Sequence, residues 1–398
     1  MFGELCVKCK GSRNLCRLNY CPLLDNVSNL LPKLRLDKTE FFGQAPPSVF
    51  VGRYNYPNVY VGPMISEINR DIGNPENWYG MGMLEIALKA STLIRPSTVL
   101  NVHHVSDQNI EASKEIAMSS KPVDAEITLS KPYYNTESRV DIFLHPMGPK
   151  VDMKKIRLTE NPSIPRKVDY VVSDKDLLAS QAVLYLYNDN LPFSQIQRIL
   201  SVGLLGRKDR KMVPTRWSIT ATDDIIGRDL IKDIKNCPFI EEFQVFQNKY
   251  IGNSFFILLI PRIWSFEMIE LWQRGSFYTN VNVGSGDFED YTGRKDYAEN
   301  VGGAYYSARL AVLEYLKNIK KQASVLVYRE IGSEYSIPLG VWVIRESVRN
   351  AMKNKSKNFE DLNQALYYIM QNVIGRDLVT KSKLIKIVKT QKTLDETY

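Results

Sequence analysis

Apolar residues along this chain follow two periods, and neither one dominates. Residues 41–64 mix β-branched and aromatic residues with Gly and Pro punctuation, which predicts strands joined by tight turns. Residues 25–40 are polar with scattered leucines and read as a connecting helix or loop, and residues 81–93 read as a helix. Residues 139–145 (RVDIFLH) predict a strand, followed by a Pro- and Lys-rich connection over 146–167. Ser173 and Asp176 stand at the spacing of a capping box, and the apolar periodicity after them predicts a helix to about Tyr187. A break at 188–192 precedes a second helix, from Ser194 to near Gly203 or Gly206; such a pair fits core packing or a helix-turn-helix. Strands are expected at 245–246 and 254–260, and a polar glycine-rich loop at 279–296. A long helix over 298–321, strands at 324–329 and 339–345 and a helix over 358–373 complete the pattern. Regular strand–helix alternation is missing, which favours an α+β (irregular mixed α/β) fold over a doubly wound sheet.

At 398 residues the chain exceeds one average domain, so two or three folding units are expected. A hydrophobic share of 44% can fill large cores, and no run approaches the 18 apolar residues that would suggest a membrane span. The net charge of +8 is compatible with phosphate-bearing partners without requiring them. Only three histidines occur, which nearly excludes chemistry built on several of them. His103 and His104 are adjacent, and on a strand they would face opposite sides; His145 reads as structural. Phosphate-binding P-loops, dinucleotide fingerprints, zinc-protease helices and nucleophile elbows are absent from the sequence.

The first 21 residues hold Cys6, Cys9, Cys16 and Cys21 in the pattern C-x2-C-x6-C-x4-C. Four soft ligands at such spacing suit a tetrahedral structural Zn(2+) site, which would tie down a segment too small for a core of its own. Two disulfides are the alternative. The start MFGELCVKCK lacks an apolar leader, and clustered thiols in a protein of the reducing cytoplasm favour metal. Lys8, Lys10, Arg13 and Arg17 crowd the same segment, while Cys237 reads as a small core residue.

Three further segments carry candidate chemistry. Residues 203–224 hold Arg207, Lys208, Arg210, Lys211 and Arg216, then Trp217 with several hydroxyls. Guanidinium groups, hydroxyls and backbone amides hold phosphates, and an exposed Trp can stack on a base, so this segment is the expected nucleic-acid contact. Asp223 and Asp224 suit a divalent cation or the cap of a helix starting at Ile225. Residues 52–64 place Arg53 among Tyr54, Tyr56 and Tyr60, either to clamp a phosphate and stack a base or as a core arginine. In residues 328–346, Glu330, Glu334, Arg345 and Glu346 suit an acid/base or metal site, or salt-bridged strand ends. An enzyme would draw its site from Arg53, Arg216, Asp223, Asp224 and Glu330.

Residues 381–392 carry five lysines and no acid, and are expected to trail into solvent. The peptide QKTLDETY follows the layout of sliding-clamp (PCNA) ligands, with Gln391, an aliphatic Leu394 and an aromatic Tyr398; Thr397 stands where that motif carries its first aromatic. The cysteine quartet, FFGQAPPSVFVGRYNYPNVYVGPM, GRKDRKMVPTRWSITATDD, PLGVWVIRE and this tail together resemble the archaeal Nre family over nearly the whole chain. The resemblance implies a DNA-damage-response protein that acts with PCNA, and an N-terminal and a C-terminal Nre region dividing near residue 270. The expected organisation is a zinc module at 1–24, the two regions at 25–270 and 271–380, and a basic tail with the clamp peptide at 381–398. The resemblance supplies no catalytic mechanism. A DNA-binding repair factor without chemistry, a DNA-acting enzyme and an RNA-handling factor all remain open from the residues.

Overall fold

A computed structural model of the chain describes residues 3–11, 13–18, 21–28, 37–66, 74–104, 106–132, 139–141 and 144–390. Two compact units result: residues 24–226 with 338–340, and residues 1–23 with 227–337 and 341–398. The chain begins with helices α1 (Glu4–Cys9) and α2 (Pro22–Ser28).

The 24–226 unit is built from β1 (Glu40–Ala45), β2 (Val49–Val51), β3 (Asn58–Pro63), α3 (Met83–Ser91), β4 (Arg95–Asn101), α4 (Gln108–Met118) and β5 (Val123–Leu129). It continues with the short pair β6 (Arg139–Asp141) and β7 (Leu144–Met147), then β8 (Lys150–Leu158), α5 (Arg166–Ser173), α6 (Ala179–Asn188) and α7 (Phe193–Ser201). Its six-stranded sheet runs β1-β5-β8-β4-β3-β2, antiparallel except for the parallel pair β4–β8. One face of the sheet carries the core. Along β5, Val123, Ala125, Ile127 and Leu129 are buried while the residues between them meet solvent in part, the period of two expected when helices cover a single face. Helix α4 starts where the Asp107 carboxylate accepts the Asn109 amide at 2.9 Å, and it buries Ile110, Ile116 and Ala117. Helix α7 is buried along most of its length, from Phe193 to Ser201. That burial fits core packing and removes the helix-turn-helix reading, because a recognition helix must present a face to DNA. Gly203 then takes a left-handed φ of 75° and turns the chain back.

Helix α8 (Thr215–Ile234) leads from this unit into the other. There the elements are β9 (Phe243–Tyr250), β10 (Asn253–Ile260), β11 (Ser265–Trp272), β12 (Val283–Glu289), α9 (Gly303–Asn318), β13 (Ser324–Ile331), α10 (Trp342–Lys353), β14 (Lys357–Phe359), α11 (Leu362–Asn372), α12 (Arg376–Lys381) and α13 (Lys383–Thr390). The sheet order is β12-β11-β13-β10-β9-β14, with β11–β13 the parallel pair. Helices cover both faces. Phe266 meets Tyr305 of α9 with ring centroids 5.0 Å apart on one face. On the other, Leu258, Ile269, Leu271 and Leu326 pack with Leu366, Ile369, Leu384 and Ile385 of α11 and α13. Strands β11 and β13 are therefore buried at every position, and their sequences read as near-continuous apolar runs broken only by paired polar groups.

Several expectations need correction. The connection expected at 146–167 contains the end of β7, all of β8 and the start of α5; Val151, Met153 and Ile156 point inward while exposed lysines between them hide the alternation. Ser173 closes α5 instead of opening a helix, and the Asp174 carboxylate caps the turn by accepting the Asp176 and Leu177 amides. Residues 279–296 include strand β12, since pairing with β11 outweighs the low strand propensity of Gly284 and Gly286. The strand expected at 339–345 is instead the entry to α10, whose first turns are buried on all sides, so its apolar run has no strand period to reveal. The basic tail does not trail away at 381: α13 continues to Thr390, anchored by Glu267, which accepts the Ser382 hydroxyl and the Lys383 and Leu384 amides. Cys237 is half-buried. No described helix is long and apolar enough to cross a membrane.

Candidate nucleic-acid interface

Parts of the candidate segments 52–64 and 203–224 meet at one edge of the 24–226 unit. The Val51 amide donates to the Thr215 hydroxyl at 2.9 Å, joining the end of β2 to the start of α8. The Val102 amide donates to the Pro57 carbonyl, and the Met212 amide to the Val102 carbonyl, each at 2.9 Å. Three loops, following β2, β4 and α7, are thus laced by backbone hydrogen bonds into one rim. The Gly52 amide closes on the Tyr60 carbonyl at 2.7 Å, and Asn55 takes a left-handed φ of 64°. Both fix the turn that carries Arg53, Tyr54 and Tyr56. At Gly203 a β-carbon would lie 2.8 Å from the Lys211 carbonyl carbon, so the basic loop folds tightly against the end of α7 only because glycine stands there.

The rim is aromatic and basic. Tyr56 and Trp217 lie with ring centroids 5.2 Å apart, tilted by 51°. Both stay substantially exposed, at 42% and 45%, and Tyr54 at 62%. The Arg53 guanidinium sits 4.4 Å from the Tyr54 ring centroid and donates to its hydroxyl at 3.0 Å. Lys208 and Lys211 are exposed, as are His103 and His104, which stand in the turn after β4 and not on the strand itself. Asp209 adds one opposing charge.

The other predicted residues divide by role. Arg210 is turned inward: it donates to the Gly206 and Val172 carbonyls at 2.7 Å and to the Asp174 backbone carbonyl at 2.6 Å, stapling the basic loop to the end of α5. Partial burial lowers its pKa from the usual arginine value, against the pull of Asp174. Arg207 donates to the Asp176 carbonyl at 3.2 Å from an exposed position. Arg216 is half-buried in the first turn of α8. Asp223 and Asp224 lie inside α8, which begins ten residues before the start expected at Ile225, so neither caps it; Asp223 is fully buried. Glu330, in the other unit, accepts the Tyr328 hydroxyl at 3.0 Å, the Ile374 and Gly375 amides at 2.8 and 2.9 Å, and Gln273 at 3.3 Å. That carboxylate pins the entry to α12. Gln391, Leu394, Thr397 and Tyr398, and the side chain of His145, lie outside the described residues.

The cysteine-bearing segment packs in the unit formed with residues 227–337 and 341–398. Cys6 and Cys9 stand three apart on α1, Cys9 buried and the other three half-buried, all as thiols. The residue types and their number suit zinc, but among the described residues no three His, Cys, Asp or Glu side chains are grouped to hold a metal ion. Lys10 ends α1 in the left-handed region at φ 49°, which sends its side chain into the core. Its ammonium donates to Glu270 and to the Val301 carbonyl, both at 3.0 Å. Glu270 also receives Arg329 at 2.5 Å, and Arg329 donates twice more to the Asn253 side-chain oxygen. Burial pushes the Glu270 carboxyl up, yet Lys10 and Arg329 together bring it below its ordinary range. Nothing local in the sequence sets Lys10 apart from Lys8, Arg13 and Arg17, the other cations that crowd the cysteines.

Comparison with known proteins adds identity. The sequence pattern described as "Archaeal Nre, N-terminal" matches residues 15–279, and "Archaeal Nre, C-terminal" matches residues 289–397. The chain is 40% identical to "DNA repair protein NreA" of Archaeoglobus fulgidus over 382 residues, covering 95% of this chain and 96% of that protein. It is 36% identical to "DNA repair protein NreB" of the same organism over 392 residues, 96% and 97% of the two chains. With "DNA repair protein NreA" of Haloferax volcanii it shares 36% identity over 342 residues, 82% and 81% of the two chains. No solved structure matches the chain. With both regions matched and three relatives covered over most of their length, the chain belongs to the archaeal Nre family.

Proposed function

We propose that this chain is a DNA-repair factor that binds DNA through the aromatic and basic rim of its 24–226 unit. The carrying observation is the meeting of Tyr56 and Trp217 from distant segments, both exposed, with Arg53 and Lys211 on the same laced loops. Exposed aromatic rings cost solvation without gaining a core, and cations beside them suit a ligand with both bases and phosphates. The names of the relatives, DNA repair proteins, agree with this reading. Binding by this rim should weaken steeply with salt, log K falling with log salt by about 0.7 per neutralised phosphate on a single strand. Affinity indifferent to ionic strength would refute it.

The same proposal has two further parts. Residues 391–398 serve as the PCNA ligand, with Gln391, Leu394 and Tyr398 as anchors and Thr397 in place of one aromatic. Calorimetry of the whole chain and of a form ending at Thr390 against purified clamp tests this: only the whole chain should bind. Cys6, Cys9, Cys16 and Cys21 hold Zn(2+), which would draw the four thiols together on binding. Metal analysis of purified protein should give one zinc per chain, lost in Cys9→Ser. The enzymatic alternative, a site of Arg53, Arg216, Asp223, Asp224 and Glu330, is weaker because Asp223 is buried inside α8 and Glu330 accepts the Tyr328 hydroxyl and the Ile374 and Gly375 amides of its own unit. A metal or acid–base role needs access to substrate.

A further inference from the structure

We infer that the rim at Tyr54, Tyr56 and Trp217 is a base-stacking shelf, so that its ligand is single-stranded DNA with unpaired bases. This deepens the proposed DNA-binding reading and rests on it. Trp217 is in the first turn of a helix of 20 residues, so its backbone is fixed, and Tyr56 leans on it at 51°. A tilted neighbour supports the indole without covering it, which is why 45% of Trp217 remains exposed. Tyr54, the most exposed of the three at 62%, has Arg53 over its ring, a pairing that also suits stacking with a base.

Flat rings held open in this way recognise flat partners. In a duplex each base already stacks on its neighbours, and only phosphates and groove edges are offered to a protein. An unpaired base gains a stacking partner it otherwise lacks, at a strength of roughly 5- to 150-fold in affinity per base. The elements at the rim are loops and a helix start. The one helix that sequence spacing suggested for the major groove, α7, is buried. The helix-turn-helix route to a duplex is therefore closed, while single-strand stacking has its rings in place. Arg53 beside Tyr54 and exposed Lys211 on the laced basic loop supply positive charge for the phosphates of a stacked strand, and His103 and His104 are exposed in the turn after β4.

The experiment uses the full chain and fluorescence anisotropy with four probes of equal length: oligothymidylate, the same strand with central abasic sites, a duplex, and oligouridylate. Abasic strands keep the phosphates and lose the stacking partner. The shelf predicts that oligothymidylate binds about tenfold or more tighter than the abasic strand and more tightly than duplex, and the DNA-repair reading on which it rests adds a preference over oligouridylate. Trp217→Ala should reduce the preference for bases about fivefold or more while Trp217→Phe retains most of it. Arg53→Ala and Lys211→Ala should weaken both strands alike. Equal binding of base-bearing and abasic strands overturns the stacking inference, as does tighter binding of duplex; tighter binding of oligouridylate overturns the assignment to DNA. If those two cation variants still weaken every DNA probe, only stacking falls and DNA binding at the rim stands. If no rim variant changes any affinity, both fall. All these side chains are exposed or half-buried, and an unchanged thermal transition separates lost contacts from lost folding.

Discussion

Replacing Lys10 with methionine should destabilise the unit formed with residues 227–337 and 341–398, although Lys10 lies more than two hundred residues from its partners in the chain. The wild-type ammonium is almost fully buried, 3.0 Å from Glu270, and its loss leaves that carboxylate with Arg329 as its remaining cation. Removing one member of a buried ion pair costs about 3–5 kcal/mol. Because Arg329 still faces Glu270 and methionine fills most of the lysine volume, the low end applies, about 3 kcal/mol. For a unit of this size that is roughly 6–12 °C in Tm. Urea denaturation of wild type, Lys10→Met, Glu270→Gln and the double variant gives the coupling directly, and a value of about 1 kcal/mol or more is expected. The pH dependence supplies a second signature. The folded Glu270 pKa lies below its unfolded value, so its contribution is full above the unfolded pKa and is lost as pH falls through the folded one. In Lys10→Met the folded pKa rises, and acid destabilisation should begin at higher pH than in wild type. A Lys10→Met protein within about 0.5 kcal/mol of wild type at neutral pH would refute the docking of this segment.

Other consequences concern loops and ends. Gly203→Ala should cost about 2–3 kcal/mol, from the left-handed φ and the clash with the Lys211 carbonyl, and should weaken DNA binding by displacing the basic loop; thermal denaturation and a DNA titration check both effects. Glu267→Ala removes the acceptor for the Ser382 hydroxyl and two amides at the start of α13, so hydrogen exchange over residues 383–390 should accelerate while the central strands keep their protection. If zinc organises the cysteine segment, chelation should lower the Tm of wild type by more than that of Lys10→Met, since part of the effect passes through Lys10. Equal shifts would separate the metal from the core.

Where burial is one-sided, the sequence carried the structure. Strand β3 with its hairpin and helix α3 lie where their periods and punctuation put them. Where both faces are buried, period stops being informative. The residues VWVI open α10 rather than a strand, because a helix covered on all sides shows no polar stripe. Strand β8 failed for the opposite reason: its lysines at 150, 154 and 155 raise the polarity of a segment whose inward positions are apolar. Individual rim residues were readable, since Arg53, the tyrosines beside it and Trp217 stand out by type. Their meeting was not, because it depends on Val51 bonding Thr215 and Val102 bridging Pro57 to Met212, partners that no local pattern specifies. Arg210 and Glu330 illustrate the converse error. Their chemistry suited a ligand, yet carbonyls and amides of their own unit take up the hydrogen bonds.

The central claim, that the Tyr54, Tyr56 and Trp217 rim is where DNA binds, is tested most directly by photocrosslinking. The full chain is irradiated with a single strand carrying 5-iodouracil, and the attachment sites are mapped by mass spectrometry. The account predicts adducts on peptides containing residues 53–56 and 217, suppressed by high salt. Adducts confined to other surfaces, with these peptides unmodified, would contradict it.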